Sequence, residues 1–103
     1  MKIKTSELTG AALDWAVAQR EGLELDLAPD GYYTYKPATK WAHGGPIIER
    51  ERIEVRPYDG KKWIATDNLT NHTIGPTPLV AAMRCFVASK LGDEVDVPDE
   101  LTK

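Results

Sequence analysis

The sequence predicts an α+β fold, with two helices packed on a small, mostly antiparallel sheet. Helix-forming segments stand near residues 6–21 and 77–91, and the β-prone runs cluster between them instead of alternating with them. The chain has 103 residues, 42% of them hydrophobic and 28% charged, enough apolar material for one core and too little for two. A single domain over residues 1–103 is expected, with residues 93–103 as a flexible acidic tail.

After a strand-like start at Lys2 to Lys4, Thr5 or Ser6 is placed to cap a helix that runs to about Arg20, and Gly22 to end it. Leu8, Ala12, Trp15 and Ala16 share one face of that helix, a spacing that packs them on a core and makes Trp15 structural. Leu23, Leu25 and Leu27 alternate with Glu24 and Asp26 as in a half-buried strand. The Pro29-Asp30-Gly31 turn leads into Tyr32, Tyr33, Thr34 and Tyr35, where Tyr33 and Tyr35 share one side of a strand and Tyr32 takes the other. Residues 37–46, rich in glycine and proline, read as an irregular loop.

Ile53 and Val55 precede Pro57-Tyr58-Asp59-Gly60, and Trp63, Ile64 and Ala65 follow it, the pattern of a β-hairpin around a glycine-containing turn. The polar stretch from Asp67 to Gly75 reads as a loop. Thr77 is placed as the N-cap of the second helix with Pro78 at its first position. Leu79, Met83, Phe86, Val87 and the stem of Lys90 form its buried stripe, and Gly92 ends it.

A net charge of -3 gives no blanket attraction to phosphate backbones, so general nucleic-acid binding is not expected. The charge is uneven: residues 36–62 hold seven basic and four acidic side chains, and residues 93–103 hold five acidic and one basic. A lone cysteine, Cys85, forms no intramolecular disulfide, and no secretory leader opens the sequence, so the expected compartment is a reducing cytoplasm. No apolar run approaches the roughly 18 residues that span a bilayer, so no membrane association is expected.

His43, His72 and Cys85 have no zinc-ligand spacing, so neither a metal nor a cofactor is expected. Cys85 lies beside Phe86 inside the second helix and reads as a core residue rather than a nucleophile. Nucleophile elbows, phosphate-binding glycine loops and dinucleotide fingerprints are all missing, so no enzymatic activity is expected.

Two segments carry ligand-binding materials. In the first, which runs from Trp41 to Arg52, Gly44 and Gly45 can turn backbone N–H groups toward an anion, Arg50 can clamp it and Trp41 can stack on a planar group, with His43 and Glu49 beside them. The second is the start of the later helix at Thr77, whose N–H groups favour an anion, with Arg84 about two turns further on. Each has a structural alternative: a tight turn at Gly44-Gly45, Trp41 plugging the core edge, a solvated strand face of Glu and Arg, a plain cap at Thr77, and Arg84 paired with a surface carboxylate.

Three segments together resemble the NinX-like family of small proteins of lambdoid-type bacteriophages and their prophages. They are Lys4-Thr5-Ser6-Glu7-Leu8-Thr9-Gly10 with Leu13-Asp14-Trp15-Ala16-Val17-Ala18, then Trp41 with Gly44-Gly45-Pro46-Ile47-Ile48-Glu49-Arg50, and Gly75-Pro76-Thr77-Pro78-Leu79 with Ala81-Ala82-Met83-Arg84. Positions that relatives fill with small acidic and amide-type residues are Lys40 and His43 here, which leaves no acid at 40. The resemblance implies expression in an infected bacterial cytoplasm, as an accessory protein of the kind that acts on host pathways.

The residues and this setting lead to one expectation and one rival. The expectation is a phage accessory protein that holds an anionic, nucleotide-derived small molecule without turnover, using Trp41, His43, Gly44, Gly45, Glu49, Arg50, Thr77 and Arg84. The rival is an adaptor or inhibitor that docks a host or phage protein, because tryptophan, tyrosine and arginine dominate interface hot spots. A homo-oligomer is expected, since so small a domain has little surface with which to enclose a ligand and two-fold dimers are common.

Overall fold

Strand β1 (Lys2–Lys4) runs into a 3-10 turn at Thr5–Glu7 and then into helix α1 (Gly10–Glu21). The structure, a computed structural model, describes residues 1–23, 35–67 and 71–101. The alternating leucines after Leu23 and the strand through Tyr32 and Tyr33 lie outside the described residues.

Helix α1 begins later than the expected cap at Thr5 or Ser6, and the reason is tertiary. The Thr5 hydroxyl donates to the Gly92 carbonyl at 2.6 Å and its N–H to the Asp93 carbonyl at 2.7 Å, so Thr5 joins the two ends of the domain instead of capping a helix. Leu8, expected on the helix, is fully buried ahead of it, while Ala12, Leu13, Ala16 and Val17 carry the helix's buried face. Trp15 is partly buried against this core. The helix ends at Gly22, whose φ of 73° supplies the left-handed turn expected of it.

The expectation of an irregular loop over residues 37–46 is corrected: from Trp41 the chain is helical, as α2 (Trp41–Glu51). Gly-Gly-Pro is a poor local helix signal, but packing overrides it. Gly44 and Ile47 are buried in the helix, and the Lys40 carbonyl accepts from the N–H groups of His43 and Gly44 to start it. Arg52 closes it in a left-handed conformation, with φ 54°, which turns the chain into the sheet.

The hairpin expected around Asp59-Gly60 is present as β2 (Glu54–Pro57) and β3 (Trp63–Thr66), with Val55 opposite Ala65. The expected loop from Asp67 to Gly75 is corrected in its second half, where β4 (His72–Gly75) pairs antiparallel with β3, Ala65 opposite Thr73. Thr73 satisfies its buried hydroxyl by donating to the Ala81 carbonyl at 2.7 Å, which is how a polar residue sits inside that strand. Helix α3 (Pro78–Leu91) follows, with Thr77 capping it through the Val80 N–H at 3.1 Å and Pro78 in its first turn, as expected.

The architecture is thus α+β with three helices and two small antiparallel sheets, one ordered β2-β3-β4 and one formed by β1 and β5 (Glu94–Asp96). A 3-10 turn at Asp99–Leu101 follows β5. Helix α3 is the centre. It packs on all three strands of the larger sheet, and α1 and α2 pack on it in turn. Leu79, Met83, Phe86 and Val87 are buried on it together with Cys85. No helix among the described residues is long and apolar enough to cross a membrane.

Candidate functional site

Trp41 opens α2 with 57% of its surface exposed, unusual for a side chain whose burial would contribute strongly to a core. It does not plug the core edge. The indole stands beside a cleft of about 380 Å³, lined by Ala38, Thr39, Trp41 and the first residues of α3, Thr77 to Val80. The two segments singled out in the sequence therefore meet, and of the candidate ligand-binding residues Trp41 and Thr77 line the cleft between them.

The cleft exists because α2 and α3 approach closely at their N-terminal ends. A β-carbon on Gly44 would overlap the Pro37 carbonyl oxygen and come within 2.6 Å of Leu79 Cδ2, so only glycine allows the contact. Gly44 is a packing position and not an anion nest, since its N–H already donates to Lys40 O at 2.9 Å within the helix. Gly45 has space around it, its nearest neighbour being the Trp41 ring at 3.9 Å from a built β-carbon.

The turn that forms the other wall, residues 37–39, is held by a group that sequence inspection missed. Asp14, on the buried side of α1 and only 5% exposed, accepts the Ala38 N–H at 2.9 Å. Burial pushes its carboxyl up to about 6, against the opposing pull of the Ala38 hydrogen bond and of nearby Lys36. Nothing in the periodicity of α1 marks Asp14, because its partner lies 24 residues away. Beside this turn, His43 accepts the Lys36 N–H through Nδ1 at 2.9 Å and stacks on Tyr35 with ring centroids 5.2 Å apart. Its role there is to brace the entry to α2.

The expected cationic clamp is located elsewhere. Arg50 lies nine residues beyond Trp41, about 13 Å along the helix and half a turn around it. Its guanidinium makes a two-pronged contact with Glu21, at 2.8 and 3.1 Å, binds Glu51 at 2.8 Å and lies 5.7 Å over the Phe86 ring. Glu21 first and then Glu51 hold Arg50 above its ordinary range, while Arg50 and Lys90 hold Glu51 below its own. This network ties the C-terminal ends of the three helices together. Glu49 is exposed on the same end of α2.

Arg84, in contrast, bonds to backbone carbonyls and not to the surface carboxylate that was its alternative partner. It donates through Nε to Leu8 O at 2.7 Å and through Nη1 to Ile74 O at 2.8 Å, joining the α1 entry to the edge of β4, and burial lowers its pKa. Cys85 is buried and its thiol is pushed up to about 11, first by burial and then by Asp67, which matches the core role expected of it. His72 lines a separate cleft of about 260 Å³ with Lys4, Asp93 and Glu94. Among the described residues no three His, Cys, Asp or Glu side chains are grouped to hold a metal ion.

Fold and cleft together define a small α+β protein whose central helix presents its N-terminus to an exposed tryptophan. The family model described as Bacteriophage P22, NinX matches residues 4–90, and the chain belongs to that family, as the resemblance in its sequence implied. A comparison with curated proteins gives no match.

Proposed function

We propose that the chain is a phage accessory protein that acts by binding, without turnover, and that a partner protein docks at Trp41. The carrying observation is the 57% exposed indole beside an open concavity walled by Pro78 and Leu79. A rigid aromatic next to a cavity that an apolar side chain can fill is the form of an interface hot spot. The two arginines that would have clamped an anion, Arg50 and Arg84, are already engaged by the chain's own carboxylates and carbonyls. That engagement favours the adaptor over the small-ligand reading.

A second reading keeps one observation of its own. Trp41 and the N-terminus of α3 share a cleft whose volume lies within the range of small-molecule sites, so a planar, anionic, nucleotide-derived ligand could stack on the indole with its charge toward the helix. Lys40, exposed between the lining residues Thr39 and Trp41, would replace the arginines as the cation.

Two measurements separate the readings. A photo-crosslinker placed at position 41 in infected cells is expected to give one protein adduct that a crosslinker at the exposed Lys61 does not give. Calorimetry against nucleotides and cyclic nucleotides is expected to give no binding tighter than millimolar. A panel member that binds more tightly, and loses binding in Trp41→Ala, would overturn the adaptor in favour of the ligand.

A further inference from the structure

Among the described residues the larger sheet has an open side at β2. Strand β2 is its outer strand, and among the described residues none pairs with its far edge. Which backbone groups face outward follows from the ladder. Tyr58 N–H donates to Lys62 O at 2.9 Å, just beyond the β2–β3 pairs, and bonded pairs in an antiparallel ladder recur at every second residue. Arg56 and Glu54 therefore turn their peptide groups toward β3, and Ile53, Val55 and Pro57 turn theirs out.

Of those three, Pro57 has no N–H, and the Ile53 N–H donates to Ile48 O at 3.1 Å. Val55 is left as the outward donor of the edge. An exposed edge with one donor, a proline and flanking charges resists indiscriminate pairing, but one arrangement satisfies it. When β2 meets itself antiparallel about a two-fold axis at Val55, the two Val55 residues exchange both N–H to carbonyl bonds. Pairing stops there, because neither Pro57 nor Ile53 brings a further donor.

Side-chain charges match the same register. Glu54 then stands opposite Arg56 of the second copy, and Arg56 opposite its Glu54, each contact occurring twice by symmetry. In the single chain these two side chains are exposed, 65% and 58%, and among the described residues each has the other as its partner at 3.0 Å. Glu54 and Arg56 share the exposed face of β2, while Val55 packs toward the core on the other.

We propose that the protein forms a two-fold dimer through β2, centred on Val55, with a second copy of this chain as the partner. This assembly is independent of Trp41 and places one Trp41 cleft on each subunit.

The test is sedimentation equilibrium on the full chain from micromolar to millimolar concentration, with circular dichroism to confirm folding. The wild-type chain is expected to dimerise within that range. E54R and R56E each set like charges opposite each other twice, and each alone is expected to weaken the dimer roughly 10- to 30-fold. An equimolar mixture of E54R and R56E places unlike charges opposite again and is expected to restore wild-type association as a heterodimer. A wild-type chain that stays monomeric throughout, single variants that associate like wild type, or a mixture that fails to recover would each overturn the proposal.

Discussion

Asp14→Asn probes the buried carboxylate that positions the wall of the Trp41 cleft. The amide oxygen of asparagine can still accept the Ala38 N–H, so the substitution removes the charge and keeps the bond. Asp14 titrates near 6 in the folded chain against 3.8 in the absence of its surroundings. The folded state consequently binds more protons than the unfolded state between these values, and stability falls as pH rises through that window. At neutral pH the desolvated carboxylate costs about 2 kcal/mol, taking 1.36 kcal/mol per pKa unit and discounting for partial screening. Urea unfolding of both proteins from pH 4 to 7.5 reads the difference directly. Glu51, stabilised as an anion by Arg50 and Lys90, has the opposite dependence, but it is present in both proteins and cancels. Asp14→Asn should gain on the wild-type chain by about 2 kcal/mol as pH rises from 4 to 7.5. A difference that stays flat with pH, or an asparagine variant that loses ground toward neutral pH, would refute the reasoning. Asp14→Ala, which leaves the Ala38 N–H without its acceptor, should destabilise by about 1 to 3 kcal/mol.

Adjacent glycines should behave oppositely. Gly44→Ala drives a methyl into the Pro37 carbonyl and Leu79 and should destabilise by about 1 to 3 kcal/mol in thermal or urea melts, whereas Gly45→Ala meets only ordinary contact with Trp41 and should be neutral or slightly stabilising. The Cys85 thiol, buried and raised to about 11, should resist a thiol reagent at pH 7.5 and react at the rate at which the chain opens; fast labelling of the folded protein would place it at the surface. Phe86→Ala empties a site that is 1% exposed and should cost about 3 to 5 kcal/mol, visible as a lowered unfolding midpoint.

Local chemistry was legible wherever a residue's neighbours in sequence are also its partners in space. Thr77 and Pro78 start a helix because the cap hydroxyl and the proline ring act within one turn, and Gly22 ends another because its own φ is positive. The β2–β3 hairpin is legible for the same reason, as its strands are joined by a short turn. Leu79, Met83, Phe86 and Val87 are buried as their period implies, but the single stripe expected there is corrected: Val80, Ala81, Ala82 and Cys85 are buried as well and Lys90 is exposed, because the sheet and the other two helices enclose α3 on several sides.

Elements whose stability comes from distant contacts were not legible. Helix α2 contains Gly-Gly-Pro, which local propensity reads as a loop, and it forms because Gly44 lets the helix close on Leu79, 35 positions further along the chain. Arg50 and Arg84 look identical in sequence, as forked cations open to a ligand. Folding sends one to Glu21 and Glu51 and the other to two carbonyls, and no spacing rule announces either partner. Sequence alone established the α+β class, the hairpin, the second helix with its cap and the NinX-like family, all of which rest on short-range backbone chemistry or on the order of residues. Which arginines remain available, where Asp14 finds its donor, and that Trp41 stands exposed over the start of α3 came only with the tertiary structure, because each depends on which groups long-range packing brings within hydrogen-bonding distance or leaves in water.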